Sequence, residues 1–229
     1  MLTSVLSRPL LRCNRGHGVR FVSNIDRECI PKSERFYEEE NTHRRYYYVM
    51  DLRGQLFIEN SVRNIATSMK DKKFLDFMYK NLKPNDSGFA HLIPYVTYCG
   101  QEMNFVTPMD IKAAIVYKDV TLPSHKSDTF KLHFGGTLTQ DFDPKLLKFC
   151  NGTGRFYHRI TNLKYLSNPE RVHYGLLNVD ITTQYISDNL VFESPDPAAK
   201  TDDQTEKMCL RWTGRNGEET LIDIDHFST

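Results

Sequence analysis

The stretch Tyr46-Tyr47-Tyr48-Val49-Met50-Asp51-Leu52-Arg53-Gly54-Gln55-Leu56-Phe57-Ile58-Glu59 constrains the fold more than any other. Two runs of β-forming residues flank a short turn, which reads as a β-hairpin. Gly54 has no Cβ and can take the positive φ that such a turn needs. A strand period of two puts Tyr46, Tyr48 and Met50 on one face and Tyr47, Val49 and Asp51 on the other. Aromatic residues on both faces predict a hairpin covered on both sides. A second hairpin closes the chain, where Met208–Trp212 and Thr220–Ile224 flank Gly214-Arg215-Asn216-Gly217.

Two helical patterns follow the first hairpin. Val62, Ile65, Ala66 and Met69 recur at helical spacing, with Asn60 or Ser61 as the cap. Asp71 caps the second, whose stripe is Phe74, Leu75, Met78 and Leu82, and Pro84-Asn85-Asp86-Ser87-Gly88 ends it. From residue 89 the pattern is mostly strand, at 92–98, 113–120 and 130–134. Gly135-Gly136 marks a turn or a close backbone approach. Asp143-Pro144 opens a short helix that Asn151-Gly152 ends, and another β-rich stretch begins at Arg155. Leu177, Val179, Ile181, Thr183 and Tyr185 alternate with polar residues, which predicts a strand with one wet face. Strands and helices are segregated. The expected class is α+β, with mainly antiparallel sheets built from hairpins and a few short helices. Hairpins at both ends suggest a duplicated unit within one globular region 43–229, with halves 43–125 and 126–229.

Residues 1–23 contain Arg8, Arg12, Arg15 and Arg20 and no acidic residue, with Ser and Thr among leucines. That composition is expected of a mitochondrial transit peptide cleaved near Phe21-Val22-Ser23; a disordered basic tail is the alternative. Residues 24–42 read as a polar linker. Losing four arginines takes the formal charge from +1 to −3, which disfavours sequence-independent nucleic-acid binding. Five cysteines without a C-x-x-C pair suit reduced thiols, and no apolar run reaches membrane-span length. Asn85-Asp86-Ser87 and Asn151-Gly152-Thr153 read as turn chemistry.

No phosphate loop, dinucleotide fingerprint or metalloprotease motif is present, and the histidines lack ligand spacing, so neither a cofactor nor a metal is expected. Gly152-Thr153-Gly154-Arg155 lacks the Lys-Ser/Thr of a phosphate cradle. Lys70, Lys72, Lys73, Lys80 and Lys83 form either an anion-binding surface or a solvated helix face. Two clusters carry candidate chemistry. In Cys99-Gly100-Gln101-Glu102-Met103-Asn104, spacing near two lets Cys99, Glu102 and Asn104 converge at a sheet edge. A catalytic Cys99 would need a base, with His91, His133 and His158 as candidates. The alternative is a tight turn at Gly100 with Cys99 buried and Glu102 and Asn104 serving local backbone. In Gly154-Arg155-Phe156-Tyr157-His158-Arg159, Arg155 and Arg159 could hold an anion while His158 titrates. There the alternative is a strand with Phe156 inward and charged neighbours in water.

Four stretches, Tyr46–Asp51 with Gly54–Phe57, Lys70–Leu75, Cys99–Phe105 and Gly154–His158, resemble in order and spacing uncharacterised protein family 0598, a eukaryotic mitochondrial group. The resemblance spans roughly residues 43–225. One departure is Asp110-Ile111-Lys112, where the family tends to have Asp-x-Pro. The resemblance implies location and no reaction, substrate or cofactor. The hairpin–helix–strand order is also similar to a bacterial family of two related α+β halves, a likeness of fold alone. The expectation is a soluble mitochondrial matrix protein, a non-enzymatic module binding a protein or small-molecule partner. The alternative is an enzyme using Cys99 and Glu102 with a histidine, and Arg155 as anion holder.

Overall fold

A computed structural model describes residues 44–58, 68–88, 90–100, 102–122, 130–193, 207–213 and 219–227. The expected transit peptide 1–23, the expected linker 24–42, most of the first helical pattern and the tip of the second hairpin lie outside them.

The first hairpin forms as its residues dictate. β1 (Arg44–Met50) pairs antiparallel with β2 (Leu56–Ile58), and the turn is closed from within. The Asp51 carboxylate accepts the Arg53 and Gln55 N–H groups at 2.9 and 2.7 Å, and Gly54 takes φ +73°. β1 then runs parallel to β5 (Glu102–Pro108), the central strand of a five-stranded sheet ordered β2-β1-β5-β4-β3, with β3 at Lys83–Pro84 and β4 at Tyr95–Cys99. Its two faces are both covered. Tyr48, Met50, Leu56, Tyr95 and Val106 belong to the main core. Tyr47, Ile93, Val96, Met103 and Phe105 form a smaller one, with Tyr47 and Phe105 stacked 5.2 Å apart.

The helix α1 (Lys72–Lys80) starts at Asp71, whose carboxylate accepts the Phe74 N–H, and buries Leu75, Met78 and Tyr79. Its Asp76 reaches out to the turn between β8 (Lys131–Phe134) and β9 (Leu138–Asp141) and accepts the Gly136 and Thr137 N–H groups, both at 2.8 Å. Gly136 lies so close to the helix start that a Cβ there would overlap the Lys72 carbonyl. The Gly-Gly pair is thus both a turn and a close approach.

A second five-stranded sheet is ordered β16-β10-β11-β12-β6: Asp225–His226, Leu147–Cys150, Arg155–Arg159, Tyr174–Leu177 and Ala113–Tyr117. β6 comes from before residue 125, so the two sequence halves share a sheet. Smaller sheets join β7 (Asp119–Thr121) to β8 and β9, and β13 (Leu190–Glu193) to β14 (Lys207–Thr213) and β15 (Glu219–Asp223). The pairings are mainly antiparallel, and the architecture is sheet-rich α+β. No described helix is long and apolar enough to cross a membrane.

Two expectations are corrected. Residues 178–189 are helical turns rather than a strand: α2 (Val179–Ile181), a π-helical turn and a 3-10 turn. The Asn178 carboxamide caps the start by accepting the Ile181 N–H at 2.9 Å, and that local bond outweighs the apolar alternation. The helix expected from Asp143 is one 3-10 turn, Pro144–Leu146, and β10 follows at once. Asp143 and Pro144 do start it, but cross-strand pairing with β11 claims the next four residues.

Candidate functional site

The site is built on the β4–β5 hairpin. Gly100, at φ +59°, turns the chain, and Cys99 pairs with Glu102, Thr97 with Asn104 and Tyr95 with Val106. Paired residues share a face, and the strand period repeats it every second residue. Cys99, Glu102, Thr97 and Asn104 therefore lie on one face of the sheet. The parallel register with β1 adds Tyr46 beside Asn104 and Tyr48 beside Val106. This is the face that, further along, becomes the main core.

Exposure falls along the face. Cys99 is exposed, Glu102 and Tyr46 are half-buried, and Thr97 and Asn104 are 0% and 2% exposed. Thr97 Oγ1 and Asn104 Nδ2 have no hydrogen-bond partner among the described residues. Two adjacent buried polar groups in this state are unusual, because each has given up water without a replacement. Burial, then Tyr46, then Glu102 push the Tyr48 hydroxyl up to about 12, which keeps it a neutral donor. One row deeper, Tyr95 Oη meets His173 Nδ1 at 3.3 Å. Burial raises the Tyr95 hydroxyl to about 12 and lowers the His173 imidazole, so both stay neutral near pH 7. His173 Nε2 is also without a partner among the described residues.

The second sequence cluster sits elsewhere. Asp110, just past the far end of β5, is 6% exposed; its Oδ2 accepts Arg155 Nη1 at 2.9 Å and the Tyr157 hydroxyl at 2.6 Å. Its Oδ1 accepts the Lys112 N–H. From Glu102 to Asp110 the chain advances about 25 Å if extended. Arg155 is thus tied to a carboxylate at one end of β5, while Cys99 and Glu102 occupy the other. Arg159 shares the Arg155 and Tyr157 face of β11, and His158 points to the opposite one. His158 is fully buried, between the rings of Tyr117 and Phe142.

Both ring nitrogens of His158 are engaged: Nε2 meets the Asp143 N–H at 3.0 Å and its carbonyl at 3.1 Å, and Nδ1 meets the Arg159 carbonyl at 2.8 Å and Gln140 Nε2 at 2.9 Å. Gln140 Nε2 also donates to the Arg159 carbonyl. Burial drives the imidazole down to about 4 against those backbone contacts. A neutral ring with both nitrogens engaged is a structural part of the core.

The structure thus puts Cys99, Glu102 and Asn104 on one face through the turn at Gly100, with Cys99 exposed at the hairpin end, and β5 is the central strand of its sheet rather than an edge. It does not bring Arg155, Arg159 or His158 to them. The histidine nearest this face in the register is His173, joined through Tyr95, whose Cα lies about 13 Å along β4 from that of Cys99. Sequence reasoning missed Thr97 and His173. Thr97 was visible as the residue midway between Tyr95 and Cys99 on one strand face. Nothing local marks His173, which a separate sheet delivers.

Residues 37–219 match the family model described as Domain of unknown function (DUF4505). No solved structure matches the chain.

Proposed function

We propose that this chain, which belongs to the family described as domain of unknown function DUF4505, is a non-enzymatic module that binds a small polar molecule against Thr97 and Asn104. The observation that carries this reading is the buried, adjacent pair of polar groups without partners, on a face that opens at Cys99. Asn104 Nδ2 is a donor, so the ligand offers it a carbonyl, carboxylate or hydroxyl oxygen; the Thr97 hydroxyl serves either way. The aromatic rings of Tyr46 and Tyr48 supply the flat apolar flank of the site. The reading favours binding over turnover, because His158 is held neutral in the core and Arg155 is committed to Asp110. Thermal unfolding against a set of small carboxylic acids, amides and polyols tests it. A compound that raises the wild-type midpoint and leaves that of Asn104→Leu unmoved supports the site; equal shifts in both remove it.

The location we propose is the mitochondrial matrix, supported by the four arginines and missing acids of residues 1–23 and by the resemblance to family 0598. Protein isolated from mitochondria should begin near Phe21-Val22-Ser23, and an intact Met1 would contradict this.

A further inference from the structure

One face of the second sheet, where Tyr157, Cys150 and Leu176 are buried, collects cations around Phe227. In register, Lys148 lies beside Tyr157, Cys150 beside Arg155, and Arg159 beside Tyr174. Lys112 joins them from the turn that Asp110 closes. The chain's own Phe227 sits in the middle. Its ring packs edge-on against Tyr157 and Tyr174, both at 5.0 Å, and the ammonium groups of Lys112 and Lys148 lie over it at 4.9 and 5.4 Å. Lys148 also stands 5.5 Å from the Tyr174 ring, beside Arg159.

Among the described residues, Lys112, Lys148 and Arg159 have no carboxylate within 4.0 Å. Asp110 is spent on Arg155 and Tyr157, and Asp225, in register with Lys148, is the acidic residue left on the face. Two ammonium groups lie over one ring, and Arg159 is in register with Tyr174, whose ring Lys148 also approaches, so like charges gather here and an anion would relieve their repulsion. A single carboxylate would satisfy one of the three. A phosphate-type dianion offers several acceptor oxygens to separate donors and matches the charge. The lowered Cys150 thiol fits the same field: the Thr153 hydroxyl bond dominates, and the Lys112 charge adds to it.

We propose that Lys112, Lys148 and Arg159 form a binding site for a phosphate- or diphosphate-bearing small molecule, with Phe227 as its floor. The site is independent of the Thr97–Asn104 reading and stands or falls without it.

Titration calorimetry of the whole chain with sodium pyrophosphate tests this, at fixed ionic strength and with sulfate as the reference anion. The wild type should bind pyrophosphate at least about tenfold more tightly than sulfate, a margin of about 1.4 kcal/mol. Lys112→Gln with Lys148→Gln, which keeps most of each apolar stem over the rings, should lose that margin. Arg159→Gln, a single change of one half-buried side chain, should weaken binding in the same direction and guards against a double variant that fails to fold. Adenosine diphosphate separates two sources of the same chemistry: affinity equal to pyrophosphate identifies the bare diphosphate as the recognised group, and tighter binding adds the organic part. Pyrophosphate binding no better than sulfate, or unchanged in the folded Arg159→Gln protein, overturns the proposal.

Discussion

Replacing Thr97 by Val should make the ligand-free protein more stable. Thr97 is 0% exposed, and its hydroxyl has no partner among the described residues. Burying a hydroxyl without a hydrogen bond costs about 1–3 kcal/mol. Valine has nearly the same shape, puts a methyl where the hydroxyl was, and is as good a strand residue on β4. The change therefore removes a penalty and adds apolar contact, for a net gain of about 1–2 kcal/mol. At this chain length each kcal/mol moves the thermal midpoint by about 2–4 °C. Urea unfolding of wild type and variant, after stripping any bound molecule by refolding, measures the difference directly. The urea midpoint should rise while the slope stays unchanged, since the surface exposed on unfolding is the same. Asn104→Leu should behave alike, with a smaller gain because leucine is the less exact fit. Stabilised variants that no longer respond to ligand are the signature of groups kept for binding rather than folding. A fall in stability of 1 kcal/mol or more at constant slope refutes the reasoning, because it would mean the hydroxyl has a partner in the folded protein.

Three further outcomes follow from the same geometry. Asp110→Ala should cost about 2–3 kcal/mol in urea unfolding, because it strands the buried Tyr157 hydroxyl and leaves half-exposed Arg155 without its partner. Gly136→Ala should cost at least about 2 kcal/mol, since the methyl would push the β8–β9 turn off the start of α1 and pull Asp76 from its three donors. Stability should also drop on acidification. His158 has a folded value near 4 against an ordinary 6.5, so its contribution is complete above about 6.5 and drains away as the pH falls toward 4. Between pH 7 and pH 5 that amounts to about 2 kcal/mol, with His173 adding in the same direction. Equal stabilities at the two pH values would contradict the buried neutral ring.

Much of the fold was legible because it rests on local chemistry. Gly54, Asp71 and the Gly135-Gly136 pair each act through bonds within a few residues or through one steric fact. The clearest failure has the same origin. Leu177 to Tyr185 alternates like a strand, yet Asn178 begins a helical turn, Val179 is 71% exposed, and the inward residues are Ile181 and Ile186. Five residues separate those two, which suits a π-turn and no strand. Cys99 shares a face with Glu102 and Asn104 only because the chain turns at Gly100 and pairs β4 with β5; in an unbroken strand residue 99 would lie opposite residues 102 and 104. Cys99 is exposed where the structural alternative had it buried. The pairing of Arg155 with Asp110 joins residues 45 apart in sequence, and His158's burial depends on Tyr117 from β6 and Phe142 just after β9. No spacing rule reaches those distances. The same holds for Lys112 and Lys148, which meet over Phe227 near the end of the chain.

The most direct test of the binding reading is native mass spectrometry of the protein gently purified from its native cells, beside the Thr97→Val, Asn104→Leu double variant purified identically. A discrete added mass of small-molecule size on the wild type, absent from the folded variant, is the result the account predicts. Bare polypeptide mass in the wild type, or the same added mass on the variant, would contradict it.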